Sequence, residues 1–488
     1  MKKLIAAILS AVMLLLCIAG CSSPVLPSDT TAPEAITTTR ESEESTGIMS
    51  DIETLTFDGA DYNIWYSNKS TWSPYPLKVT EEEGNNGEII YSSGFSRNAY
   101  LEEKHKVKLN YTVSATDPNN ASSGDLSVLK ILQSSGDAAD YSLVFTGASA
   151  AASLALSGFY MDLSDSKYIA PEAEYYEKQV NSQIQLYGHQ YFCSGYYSVM
   201  NTAAVDVTYV NYGIVEDINH VTLDDLYKLA LNREWTIEKL LEYGKPYATV
   251  ESNTGVTTDR YSLILSNNYR QNIFFDLGGK VVEYDAGENE YVPVIGEPSV
   301  TELLTKIAEM LDKNSGTAFV PNDRHAEFYL NQCAPFMIVT YNNLLKLKDS
   351  DLKYAMLPTP LIEAGRDYVA YSDAWNLNFA GIPAATSDKE MADYMFEVFM
   401  RASYEYVYPA YYQICFGTRY QPDSMGAQIF DILTHSRVID FNNIYNLGIN
   451  VQSLINVSAG TVSSTVKGMS KMLNTNLGKL KASYEAIK

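Results

Sequence analysis

The chain has 488 residues, with 35 basic against 59 acidic side chains and a formal charge of −24. Phosphate backbones need a basic face, so nucleic acid is excluded as a partner and anionic ligands in general are disfavoured. The length is too great for one ordinary core and calls for two lobes.

In chain order, MKKLIAAILSAVMLLLCIAGC holds two lysines, an apolar run too short to span a membrane, and small residues before Cys21. This reads as a secretory signal over residues 1–20. The ending Cys17-Ile18-Ala19-Gly20-Cys21 resembles the lipobox of bacterial lipoproteins, which implies lipidation of Cys21 and an anchor made of acyl chains alone. Residues 21–53 form a tether; their Ser, Thr, Pro and Glu cannot bury enough apolar surface to fold. No other segment is apolar enough to cross a bilayer.

Folded structure is expected from about residue 54. DYNIWYS (61–67) reads as a strand, SRNAYLEEKHK as a helix, and a strand follows from Val107. DLSVLKILQSSG reads as a helix ended by Gly136, followed by the strand DYSLVF and a small-residue helix after Gly147. This βαβα order implies a largely parallel sheet covered by helices, with ligands beyond the carboxyl ends of its strands. AVDVTYVNYG (204–213) opens a second run of the same kind. Capping boxes are expected at Thr222/Asp225, Ser299/Glu302 and Ser387/Glu390. Trp235 reads as a core anchor and DAGENEYV as a hairpin turn. Val462, Val466, Met469, Leu473, Leu477 and Leu480 mark one face of a long C-terminal helix.

The chemistry is that of binding. GASAA around Ser149 lacks the fifth-position glycine of a nucleophile elbow, and no HGGG-like stretch supplies an oxyanion hole. Ser164 to Lys167 matches S-x-x-K without the companion motifs of β-lactamases. There is no H-E-x-x-H, P-loop or dinucleotide fingerprint, and no zinc spacing among Cys193, Cys333 and Cys415, which read as small buried residues. No metal or cofactor is expected. Paired carboxylates for glycoside hydrolysis need no local motif and stay open. The positive signal is 38 tyrosines, many beside predicted turns, whose ring faces and polar edges suit pyranose sugars.

Several segments, in their order along the chain, resemble extracellular solute-binding proteins of the family 1-like, carbohydrate ABC-transporter class. They are DYSLVFTGASAAASLALSGFYMDLSDSKY, TLDDLYKLALNREWTIEKLLEYGK, FYLNQCAPFMIVTYNNLLKLKDSDLKYAMLPTPL, GIPAATSDKEMADYMFEVFM and FDILTHSRVIDFNNIYN. The resemblance implies an α/β, two-lobed periplasmic-binding-protein-like (type II) fold with a hinge of crossing strands near Tyr197–Ala204, Ala334–Thr340 and Tyr371–Phe379. Lobe 1 would comprise 54–200 and 335–375, and lobe 2 201–334 and 376–488.

It also implies a monomeric, lipid-anchored extracellular receptor that takes a sugar or oligosaccharide to ABC permease subunits. The residues expected at the ligand are Tyr66, Ser67 and Trp72; Gly147, Ala148 and Ser149; Tyr196 and Tyr197; Tyr341 and Asn342; and Tyr371, Asp373 and Trp375. Gly147 to Ser149 lack bulk, so a ligand could reach backbone donors at the helix start. The long loop from Ala60 to Gly94 departs from better-understood sugar binders and leaves Trp65 and Trp72 without a fixed role. A surface glycoside hydrolase or esterase, and an adhesion or sensing lipoprotein, remain as alternatives.

Overall fold

Strand β1 (Ala60–Tyr66) is followed by helix α1 (Ile89–His105), strand β2 (Val107–Val113), helix α2 (Ala121–Ser135), strand β3 (Leu143–Gly147) and helix α3 (Ala148–Ala155). The connections are tight because single residues adopt left-handed backbone: Lys106 (φ 53°) turns α1 into β2, and Gly136 (φ 89°) ends α2. β2, β1 and β3 pair in parallel, with Ala60 opposite Val107 and Ile64 opposite Leu143. The βαβα reading of this half therefore matches the structure. The protein is described by a computed structural model over residues 48–67, 77–117, 121–198, 201, 203–249, 257–267, 270–311, 316–321, 324–341, 347, 350–411, 424–455 and 461–487. Cys21, the tether up to residue 47, Trp72, Asn342 and Cys415 lie outside the described residues.

After helix α4 (Lys178–Ile184) the chain crosses to a second sheet. Its strands are β4 (Asp206–Asn211), β5 (Leu263–Ser266), β8 (Thr317–Val320), β9 (Phe336–Thr340) and β10 (Tyr354–Leu357), in the order β10-β4-β9-β5-β8. A hairpin, β6 (Val282–Asp285) and β7 (Glu290–Pro293), projects from this lobe at the predicted DAGENEYV turn. β11 (Ala370–Tyr371) then leads back to the first sheet. There β12 (Asn378–Gly381) adds antiparallel to β3, with Asn378 opposite Gly147. The apolar positions of Lys389–Ala402, among them Tyr394, Met395, Phe396 and Phe399, complete the first lobe's core.

The expected assignment of the central segments is thus reversed. Residues 335–375 carry β9 and β10 of the second sheet, whereas β12 and the helix Lys389–Ala402 belong to the first. Ala334–Thr340 is accordingly no crossing. FMIVT is buried at all five positions and fits between β4 and β5. An apolar strand of this kind carries no mark of which of two buried sheets it joins. The described crossings are the segments around Cys193–Val205 and Tyr371–Asn378, tied by bridges between Val205 and Ser372 and between Cys193 and Ala380.

Local signals hold to different degrees. The Thr222/Asp225 capping box forms, with Thr222 Oγ1 accepting from the Asp225 N–H at 3.2 Å. At the third expected box the cap is Asp388, one residue later, accepting from the Met391 N–H at 3.0 Å. Ser299 is no cap, because the helix already begins at Pro298, a residue suited to the first helical position. The C-terminal helix Val462–Glu485 buries Val462, Val466, Leu473, Leu477 and Leu480 as expected, and Tyr484 besides. Cys193 and Cys333 are free and buried. Burial pushes both thiols up, away from reactivity.

Trp235 is fully buried, and its Nε1–H donates to the Pro358 carbonyl at 3.1 Å. Trp235→Ala is expected to cost about 3–5 kcal/mol of stability, read from chemical denaturation of the second lobe.

Candidate functional site

The two lobes meet where the hinge strands pass the carboxyl end of β3. Gly147 ends β3 in extended backbone and stands as the N-cap of α3 without a side chain. The Ala148 N–H donates to the Leu377 carbonyl at 3.2 Å. This corrects the expectation of a fully open set of donors, since the sheet extension by β12 takes the first of them. Ser149 is half-buried, and no histidine is hydrogen-bonded to it among the described residues.

The strand that approaches Ala148 begins at Tyr371. Tyr371 is fully buried and stacks on Phe275, with ring centroids 4.6 Å apart and planes 17° apart. Asp373 accepts from the Trp375 N–H at 3.0 Å, which folds 373–376 into a turn. Trp375 is 48% exposed, whereas Trp65 and Trp235 are buried. The segment therefore runs from a buried ring to a presented one within five residues and ends against Gly147 and Ala148.

Other expected residues are built into the scaffold. Ser67 is buried and donates to the Asp125 carboxylate, which also accepts from Ser114 Oγ at 2.6 Å. Tyr66 is buried beside it, edge-on to Tyr111. Tyr197 is buried and donates to the Asn378 carbonyl at 2.7 Å. Tyr341 is buried edge-on to Tyr411 and Phe430, and its carbonyl accepts from Tyr209 Oη at 2.7 Å. Tyr196 is half-buried against Tyr408 at 4.4 Å and Tyr404 at 5.2 Å. In this structure these tyrosines pack against protein. Burial of a strand-end tyrosine is a tertiary matter that its neighbours in sequence do not decide.

The site that sequence reasoning missed adjoins Tyr371. A polar concavity of about 320 Å³ is walled by Phe275 and Tyr371 and edged by the amides of Gln271, Asn443, Asn446 and Gln452. Two short helices from the C-terminal segment carry most of it, Phe441–Ile444 and Val451–Ile455. Asp440 caps the first, accepting from the Asn442 N–H at 3.1 Å. Burial pushes its carboxyl up to about 6. Asn442 is consumed in holding the loop: its amide bonds Asp440 and both backbone groups of Ile449, at 2.9–3.0 Å. Gln271, Asn446 and Gln452 make no side-chain hydrogen bond among the described residues. Neutral amides both donate and accept, as hydroxyl groups do. The clue in the sequence was the density of amides in DFNNIYNLGINVQ, residues 440–452.

A larger concavity of about 610 Å³ lies across Phe275 and Asp440, which line both. Its walls are more apolar, with Val281, Tyr284, Tyr291 and Phe441. The smaller one is the better candidate for a hydroxylated ligand, because it combines amides with ring surface and adjoins the strand that presents Trp375.

The hinge beneath is polar and buried. Arg437 pairs with Glu177, donates to the Asn201 carbonyl, and donates from Nε to Ser372 Oγ at 3.1 Å. Asn201 in turn bonds both backbone groups of Asn378, at 2.8 and 3.0 Å. Arg437 thereby links the C-terminal segment to both crossings. Glu177→Gln leaves its charge without a counter-ion, so a loss of about 3–5 kcal/mol is expected in urea unfolding.

By sequence, no known family and no curated protein matches the chain. By structure it is similar to the GacH receptor of Streptomyces glaucescens, solved unliganded and with acarbose, at TM-score 0.50 and 10% identity over 88% of this chain and 99% of that one. It is also similar to the ABC substrate-binding protein Lmo0181 of Listeria monocytogenes in complex with cycloalternan, at TM-score 0.46, 15% identity, and 88% and 98% coverage. UgpB of Mycobacterium tuberculosis, in complex with glycerophosphocholine, follows at TM-score 0.48, 13% identity and the same coverage.

Proposed function

We propose that this chain, which has the two-lobed α/β fold of solute-binding proteins, is an extracellular receptor for a neutral sugar or oligosaccharide. It acts as a lipid-anchored monomer, held at the membrane through Cys21, and delivers its ligand to an ABC permease. It holds the ligand without cleaving it. The observation that carries the ligand class is the amide-edged concavity beside Phe275 and Tyr371, with the exposed ring of Trp375 on the strand leading away from it. Neutral amides match hydroxyls without favouring charge, and a flat ring matches the C–H face of a pyranose. The fold shared with the GacH receptor, a protein solved with acarbose, supports the same reading.

Closure of the lobes would follow from contacts that the ligand makes better in the closed state, and the closed form is what a permease can distinguish. The Gly147–Ser149 turn stands on the first lobe's side of such a ligand, and Asp373 orients the turn that presents Trp375.

A thermal-shift screen across mono- and oligosaccharides tests this. A true ligand at a hundredfold excess over Kd stabilises by about 2.7 kcal/mol. Trp375→Ala and Asn443→Ala are each expected to weaken binding about tenfold with little change in the ligand-free melting temperature. Stabilisation by peptides and by no saccharide would overturn the ligand class, and recovery of shortened saccharide would overturn the binding-only role. For the anchor, Cys21→Ala is expected to release the protein from the membrane fraction into the medium.

A further inference from the structure

Two carboxyl groups meet behind the wall of the polar concavity. Asp206 opens β4, and Asp276 closes the short helix Asn272–Asp276 that also carries Phe275. Both are almost completely buried, at 1% and 2% exposure. Asp206 Oδ2 accepts from Asn272 Nδ2 at 2.7 Å, and Asp276 Oδ1 accepts from the Tyr371 N–H at 2.8 Å. Among the described residues the two remaining oxygens, Asp206 Oδ1 and Asp276 Oδ2, find no N–H or hydroxyl donor, and the two carboxyl groups, joined through the helical turn Asn272–Asp276, lie within hydrogen-bonding reach of each other. Ionised carboxylates only accept, so two of them can bond only when one carries a proton. A charged pair in this place would also be two buried like charges without a counter-ion.

Among the described residues no positive charge acts on either carboxyl group. The charge of Asp373, on the hinge segment, acts on Asp206. Tyr371 feels the charges of both Asp206 and Asp440, the latter at the head of the C-terminal helical turn. The nearby Arg437 is engaged with Glu177, and Arg270 lies over the Phe319 ring at 3.7 Å. Among the described residues no group of three or more His, Cys, Asp or Glu side chains could hold a metal ion.

We infer that Asp206 and Asp276 share a single proton, and that this proton fastens the second lobe to the hinge strand at Tyr371. Loss of the proton leaves two repelling carboxylates behind the wall that Phe275 and Tyr371 form, so the wall loosens as the solution turns alkaline. The inference stands whether or not the ligand is a sugar.

Burial is the main force raising both groups; the Asp373 charge adds to it for Asp206, which is pushed up to about 8, and the Asp206 charge adds to it for Asp276. The folded pKa lies above the unfolded one. The contribution to stability is therefore complete below the ordinary carboxylate range and is lost as pH rises toward and through about 8.

The test is the melting temperature of the full-length chain from about pH 5 to about pH 9, beside Asp206→Asn. The wild type is expected to lose stability progressively from about pH 5 to about pH 8, by up to about tenfold in the unfolding equilibrium per pH unit for one proton, and to level off above that. Asp206→Asn is expected to flatten this limb, because its amide can donate to Asp276 permanently while its carbonyl still accepts from Asn272. Parallel profiles for the two proteins would overturn the inference. So would stabilisation of the wild type, but not the variant, by millimolar calcium, which would put a cation where the proton is proposed. Should Asp206→Asn not fold, Asp276→Asn replaces it, and the wild type alone decides by infrared spectroscopy. A protonated-carboxyl C=O band at neutral pH that disappears in alkali is expected; its absence at neutral pH overturns the shared proton.

Discussion

The ion pair between Arg437 and Glu177 is the constraint on which the two-lobed arrangement rests. Both side chains are about 3% exposed, where an unpaired charge is expensive. The pair is supported by further hydrogen bonds on both of its members. Glu177 also accepts from Ser194, Ser372 accepts from Arg437, and Asn201 closes the circuit to Asn378. Three chain segments distant in sequence thus converge on one polar knot. A hinge of this composition suits a molecule whose lobes must move while the axis stays registered, because directional bonds resist sliding where apolar packing would permit it. Buried pairs add little net stability over apolar packing, and their better-attested use is to fix register.

Around that knot the chain separates rigidity from reception. The tyrosines nearest the hinge, Tyr197, Tyr209 and Tyr341, are buried, and each takes part in a hydrogen bond that joins loops through its hydroxyl or its carbonyl. In the proposed receptor, reception falls to amides on a loop whose shape Asn442 holds, and to one tryptophan turned outward by Asp373. Tyrosine abundance therefore mixes two roles. Where a ring has both a buried face and a bonded hydroxyl, it is a strut. Where amides surround a ring edge without partners of their own, the surface is free to bond a guest.

Much of the fold was legible in the sequence, and the limits are physical. The β-favouring apolar run of DYNIWY and the Gly136 stop mark strand and helix correctly, since both depend on neighbours in sequence. The same holds for the Thr222 box and the hairpin. The partnership of FMIVT was not legible: a strand apolar at every position can be buried in either sheet, and its partners are over a hundred residues away in β4 and more than seventy in β5. For the site, Tyr371, Asp373 and Trp375 were named because they lie on a returning strand, and Tyr371 does line the concavity. Gln271, Asn443 and Asn446 were not, because asparagine beside a turn usually serves the turn. Asn442 does so here, and only the fold distinguishes it from Asn443 beside it.

Neither lobe is written in one piece. The first sheet lacks its fourth strand until Asn378–Gly381 has been made, and the hinge lacks its cation until Arg437 follows. During synthesis most of the chain must therefore exist before any half of it can be finished. Contacts between such remote segments are slow to form, because long loops must close before they are rewarded. A polypeptide that cannot complete its structure early stays thin enough to thread through a narrow channel.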